Sequence, residues 1–215
     1  MRSRTWLPAQ GAATATVLLR HGQTSMSVQK RYAGRSDVPL TDTGVRQAVA
    51  AAKRLAPAGI DLIVSSPLQR AMRTAEWVAG VTGVPVVADE DFRETDFGAW
   101  EGLTFAEAAR RDPETHRAWL SDPALPPPGG ESFDAVHERV TRARDHIVAV
   151  YPGATVVVVS HVTPIKTLLR IGLDAGPSVL FRLHLDLASL SIVEFYPDGH
   201  TSVRLVNDTT HLTRI

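Results

Sequence analysis

Four consecutive valines place the strongest constraint on this chain. In Thr-Val-Val-Val-Val-Ser-His, residues 155–161, no polar residue alternates with the apolar ones. A strand with one wet face shows period-two alternation, so an unbroken run must be covered on both faces. β-Branched side chains also favour the pleated conformation over the helix. The run therefore predicts a central strand of a parallel sheet with helices above and below. TVLLRH at 16–21 and DLIVSS at 61–66 repeat the pattern, and PVVAD at 85–89 reads as a shorter strand.

Between these runs the apolar period changes to three and four residues, the period of a helix face. Thr41 is placed to cap a helix whose inner face is Val45, Ala48, Val49, Ala52 and Leu55. Ser66 is expected to cap the next helix with Pro67 at its first position. Leu68, Ala71, Met72, Ala75, Val78 and Ala79 would form its stripe. Residues 103–121 read as one or two polar helices, and 122–132 as a rigid Pro- and Gly-rich loop. A long helix over 132–150 turns Val136, Val140, Ala143 and Ile147 inward, and another begins near Thr163. ASLSIVEFY (188–196) and TSVRLVN (201–207) flank Pro197-Asp198-Gly199, a hairpin turn. The expected architecture is α/β, a three-layer α/β/α sandwich whose mostly parallel sheet has an antiparallel edge. Residues 1–14 read as a flexible lead-in or linker remnant, and 15–215 as a single domain. The last hairpin offers an edge at which an oligomer could pair.

Composition narrows the function. The formal net charge is zero and no basic stripe stands out, so a nucleic-acid groove is not expected. The absence of cysteine excludes disulfides, thiolate nucleophiles and Cys-ligated zinc. No HExxH or HxH motif occurs, and neither a metal nor a cofactor is expected. The first apolar stretch is broken by Pro8, Gln10 and Gly11, and no run nears the roughly 20 residues of a membrane span. The expected setting is the cytoplasm.

Reactive residues gather where strands end. Arg20-His21-Gly22, Ser65-Ser66-Pro67 and Ser160-His161 each close an apolar run. Ligands of open α/β sheets bind beyond the carboxyl ends of strands, and helix N-termini there favour phosphate. Arg70 falls in the first turn of its helix, where the macrodipole disfavours a cation. A bound anion would reverse that penalty. His116, His137, His146, His184, His200 and His211 lack such a setting and read as surface or packing residues.

The segments LLRHGQT (18–24), GRSDVPLTDTG (34–44), SSPLQRAMRTA (65–75), RETDFGAWEG (93–102), PPGGESF (127–133) and VVSH (158–161) together resemble the histidine phosphatase superfamily, with its phosphoglycerate mutase-like fold. Within it the chain looks like α-ribazole phosphatases. It looks most like the phosphatase half of chains that also carry an upstream ribonuclease H domain. The resemblance implies a metal-independent acid phosphatase acting on a small phosphomonoester through a phosphohistidine. It implies His21 as nucleophile, Glu94 as proton donor, and Arg20, Arg70 and a protonated His161 around the phosphate. Gly22, Gln23, Thr24, Ser27 and the Val162 backbone would complete the binding loop. The pattern departs from the family at Met26 and Ser27, where tryptophan and asparagine are usual, and at Val162-Thr163 in place of Gly-Gly. The segment between Glu94 and His161 is short for a mutase, which makes phosphoglycerate mutase-type transfer the alternative; a non-catalytic phosphate-binding module is a second. Phe97, Trp100 and Phe105 could meet an apolar alcohol, and Arg110 and Arg111 further anionic groups.

Overall fold

A computed structural model describes residues 9–213. Residues 1–8, most of the expected lead-in, lie outside the described residues. Six strands form one sheet: β1 (Thr14–Arg20), β2 (Leu62–Ser65), β3 (Val86–Ala88), β4 (Thr155–Ser160), β5 (Leu190–Phe195) and β6 (Thr201–Asp208). Their spatial order is β3-β2-β4-β1-β5-β6. The valine strand β4 is thus interior, as its composition demands. Strands β1 to β4 pair in parallel, whereas β5 and β6 are antiparallel.

The helices are α1 (Ser25–Val28), α2 (Asp42–Leu55), α3 (Gln69–Thr82), α4 (Phe105–Arg111), α5 (Pro113–Ser121), α6 (Phe133–Val150) and α7 (Val162–Gly172). Alternate residues of each strand point to opposite faces. Leu18, Val64, Val156 and Val158 meet α6 and α7 through Val136, Val140, Ile165 and Leu169. Val17, Leu19, Ile63, Val157 and Val159 meet α2 and α3 through Ala52, Leu55, Ala71 and Val78. Each fully buried Val or Leu contributes about 1.5–3 kcal/mol. These two faces are the interior seams of the three-layer sandwich. A third cluster, Phe97, Trp100, Ala108, Trp119, Phe133 and Leu180, packs apart from the sheet.

Several local expectations need correction. β1 starts at Thr14, inside the expected lead-in. Helix α3 begins at Gln69 after Leu68, so Ser66 does not cap it and Pro67 is not its first residue. The Ser66 side chain instead accepts from Leu68 N at 3.3 Å and meets His161. The inner face of α2 is rotated toward Gly44 and Ala51, leaving Val45 and Val49 half-buried. In α3, Arg70 and Thr74 are buried while Leu68, Met72 and Ala79 are only half so. Residues 103–121 are amphipathic rather than polar, burying Ala108, His116 and Trp119. The last helix starts at Val162, one residue early.

Candidate active site

The strand register assembles the centre. Arg20 pairs with Ser160 across β1 and β4, so the next residues, His21 and His161, leave the sheet side by side. Their ring centroids are 5.0 Å apart. His21 N donates to Ser160 O at 3.0 Å, and Ser160 Oγ donates to Phe92 O at 2.7 Å. Gly22 then passes so close to α2 that an added Cβ would lie 2.4 Å from Gly44 O. Only glycine allows that approach.

One contact decides the state of His21. Its Nδ1 lies 2.7 Å from Gly22 O. A carbonyl can only accept, so Nδ1 carries the proton and Nε2 is bare. Among the described residues nothing occupies Nε2, and His21 lines a cavity of about 310 Å³. Burial holds its pKa well below the usual imidazole value, and the Arg70 and Arg20 charges push the same way. The neutral ring thus offers a lone pair in mildly acidic solution as well.

Arg20 supplies a cation beside it. Its Nη1 donates to Leu185 O at 2.6 Å, while its buried Nε has no partner among the described residues. Burial lowers its pKa to about 10, opposed by Glu94 and Asp186 and assisted by Arg70. A buried donor without an acceptor is uncommon, and an anion is the natural complement.

Arg70 and His161 lie behind His21 rather than on the cavity wall. Arg70 Nε donates to His161 Nδ1 at 3.2 Å. Its other nitrogens donate to the Ser36, Ala33 and Gly34 carbonyls at 2.7, 2.7 and 3.0 Å. Because Nδ1 of His161 accepts, its proton sits on Nε2, which donates to Ser66 Oγ at 2.8 Å. Burial, then Arg70, His21 and Arg20, depress the His161 pKa far below its ordinary value. Without a phosphate this ring is neutral, since its cationic and titratable neighbours disfavour another charge; the protonated form was expected beside a bound phosphate.

Glu94 joins from the loop before residue 95. Its Oε1 accepts from Thr95 N at 2.8 Å and Thr163 N at 3.3 Å, at the positive end of α7. Glu94 and Val162 both line the cavity, as do Thr24 and Ser27. The Ser27 hydroxyl donates to Thr24 O at 2.7 Å and accepts from Thr24 N at 2.9 Å, closing a capping box on α1. Gln23 does not line the cavity; its Oε1 accepts from Thr41 Oγ1 at 2.9 Å, bracing the α2 cap. Trp100 is buried outside the cavity with Nε1 donating to Asp112 at 2.7 Å, and Arg110 and Arg111 are exposed away from it.

Three supporting residues were not anticipated. Arg139 on α6 donates to the carbonyls of Asp91, Arg93 and Glu94 at 2.6, 2.7 and 3.2 Å, and pairs with Glu131 at 2.7 Å. It fixes the segment carrying Glu94. Glu101 accepts from the amides of Gly34 and Ser36 at 2.9 and 3.0 Å, holding the loop whose carbonyls grip Arg70. Lys166, one turn beyond Val162, reaches the cavity and donates to Leu180 O at 2.7 Å. A helical period of i, i+4 from Val162 is the only sequence signal for Lys166.

A bare imidazole nitrogen, a buried arginine and a carboxylate around one cavity are groups that can bind an anion and exchange a proton with it. The chain belongs to the histidine phosphatase superfamily, branch 1, whose family model matches residues 16–209. It is 62% identical over 208 residues to the bifunctional protein Rv2228c of Mycobacterium tuberculosis, covering 96% of this chain. The chain spans 57% of that protein's length. Among solved structures, Bacillus stearothermophilus YhfR superposes with a TM-score of 0.86 at 34% identity, covering 93% of this chain and 100% of that one. A mycobacterial glucosyl-3-phosphoglycerate phosphatase, Rv2419c, in complex with VO3, gives 0.84 at 34% identity, with coverages of 92% and 100%. Named phosphatases are among the proteins that it resembles. Among the described residues no helix is long and apolar enough to cross a membrane.

Proposed function

We propose that the chain hydrolyses small phosphomonoesters through a phosphohistidine on His21, without a metal. The observation that carries this reading is the bare Nε2 of His21, set in a cavity beside an arginine whose Nε lacks an acceptor. Nε2 attacks phosphorus as the ester P–O bond breaks, and Glu94 passes a proton to the departing alkoxide. Glu94 then takes a proton from water, whose oxygen attacks phosphorus and breaks the N–P bond. Orthophosphate leaves and His21 is restored. Arg20 neutralises the equatorial oxygens directly. Entry of the dianion favours protonation of His161 and draws the Arg70 and His161 donors, now bonded to protein groups, toward the phosphate. Ser27 and the Val162 amide complete the loop. Low imidazole pKa values suit an acid phosphatase, because His21 keeps its lone pair below neutral pH.

The cysteine-free sequence supports a cytoplasmic setting. The longer bifunctional relative is consistent with a further domain, for which the sequence resemblance suggests ribonuclease H. The substrates to test first are α-ribazole 5′-phosphate and glucosyl-3-phosphoglycerate, the latter named for a relative. Rapid alkaline quench after mixing with a ³²P-labelled ester should trap a base-stable, acid-labile phosphoenzyme. A His21→Ala protein that still turns over would end the proposal. Glu94→Gln should slow alkyl phosphates at least ten times more than nitrophenyl phosphate, whose leaving group needs no proton; equal losses would remove Glu94 from the acid role.

A further inference from the structure

The hydrolase reading leaves the alcohol half of the substrate open, and the outer cavity bears on it. Only 6% of the chain is aromatic, yet Tyr32, Phe97, Phe105, Trp119, Phe133 and Phe181 all line this one cavity. Phe97, Trp119 and Phe133 form a buried floor, with Trp119 and Phe133 centroids 4.9 Å apart. Phe105 and Phe181 stand at the rim, each 52% exposed. Isolated exposed phenylalanines are ordinary, but two at the mouth of an aromatic-floored cavity mark a surface that an apolar ligand would cover.

The two cations of this outer half are held by protein groups on at least one side. Arg31 donates to Gly102 O at 2.7 Å and pairs with Glu107 at 2.9 Å. Lys166 is held by Leu180 O at 2.7 Å. Arg31 is thus paired, whereas Lys166 keeps two further N–H donors. A cavity of about 150 Å³ admits benzene, so the 310 Å³ here leaves room for a ring next to a phosphate.

Resting on the hydrolase reading, we propose that this site selects phosphomonoesters of alcohols with a flat aromatic body, which packs on the Phe97–Trp119–Phe133 floor and is closed over by Phe105 and Phe181. A phosphorylated sugar acid offers no flat apolar face to this floor. Aromatic pairing and the removal of phenyl surface from water act together here.

The test uses alkyl esters of similar leaving-group basicity, so that binding rather than bond strength is compared. With the full chain, kcat/KM for 3-phenylpropyl phosphate should exceed that for propyl phosphate by roughly 30-fold, the value of burying one phenyl group. It should exceed that for 3-phosphoglycerate by at least as much. Phe105→Ala/Phe181→Ala should cut the phenylpropyl advantage to roughly 3-fold, the loss falling mainly on the phenylpropyl ester. Both side chains are half-exposed, so the double variant should keep its melting temperature within a few degrees. Equal rates on propyl and phenylpropyl esters, or preference for 3-phosphoglycerate, would overturn the inference while leaving hydrolysis intact. Absence of turnover and of a phosphoenzyme on all three esters would overturn the hydrolase reading and this inference with it.

Discussion

Around His21 the reactive atoms are aimed by other protein groups. Gly22 O fixes the imidazole tautomer, Leu185 O turns Arg20, and the Ala33, Gly34 and Ser36 carbonyls hold Arg70. In the outer cavity, rings touch rings, and Phe105 and Phe181 face solvent. The first region hangs on strand ends and fails if any register slips. The second hangs on α4, α5 and the start of α6, whose cluster is separate from both faces of the sheet. Chemistry and selectivity thus sit on different supports. Changes in the polar centre should lower all rates together, whereas changes in the rings should alter the ratio between substrates.

The severest challenge to this division is His21→Ala. Removal of the nucleophile should lower kcat/KM by at least about 10³-fold on phenylpropyl and propyl phosphates alike. Initial-rate kinetics check it, and a loss confined to one ester would merge the two regions. Next comes Arg139→Gln, which acts at a distance. Its contacts to the Asp91, Arg93 and Glu94 carbonyls are charge-assisted, and losing them should cost about 1.5–3 kcal/mol of positioning. We expect kcat to fall about 10- to 100-fold with KM nearly constant, equally for both esters. Arg139→Lys should not rescue it, because an ammonium lacks the planar fork. An unchanged kcat would free Glu94 from the clamp.

Much of this division was legible in the sequence. The valine run and its companions gave the layers, because covering both faces of a strand leaves few alternatives. Arg20, His21 and His161 could be found because they interrupt apolar runs, and interruptions at strand ends are visible. Ser66 was misjudged: the residues Ser-Pro match an N-cap signal, but a side-chain bond to His161 and a turn through Leu68 prevail. Arg139 and Glu101 were not legible. Each is an ordinary helix or loop charge until the chain brings distant carbonyls or amides against it. The neutral resting state of His161 was not legible for a related reason, since its pKa depends on Arg70, 91 residues away in sequence. The aromatic cavity was half visible: Phe97 and Phe105 stood out, while Tyr32, Trp119, Phe133 and Phe181 come from four other segments.

Acid separates the regions by stability. His21 and His161 have folded pKa values well below 6.5, so between those values and about 6.5 the unfolded chain binds more protons. Their contribution is complete above about pH 6.5 and is lost as the pH falls toward the folded values. The slope is up to about 1.4 kcal/mol per pH unit for each ring, or about 2.7 for both. Burial lowers His116, His137 and His211 too, so a difference between proteins is needed. Urea unfolding at pH 7 and 5.5 should show a smaller loss for His21→Ala than for the parent. The Phe105→Ala/Phe181→Ala protein should stay closer to the parent, differing only through His116, which Phe105 covers. Equal losses in all three would mean that His21 is not held neutral by its surroundings.

The finest test is Ser66→Ala. The hydroxyl is buried and takes the Nε2 proton of His161 at 2.8 Å. Without it, that N–H has no acceptor, and about 1–3 kcal/mol is lost, tempered if water enters the methyl-sized gap. The ring keeps its Arg70 bond, so it should remain in place but turn more freely. We expect a stability loss near the lower end of that range in urea titrations. A drop in kcat of roughly 3- to 10-fold should follow as His161 orients less well toward phosphate. The phenylpropyl-to-propyl ratio should not move, since Ser66 does not line the cavity. A shifted ratio would show that the polar centre also shapes the alcohol pocket, and the proposed separation of chemistry from selectivity would fail at its smallest joint.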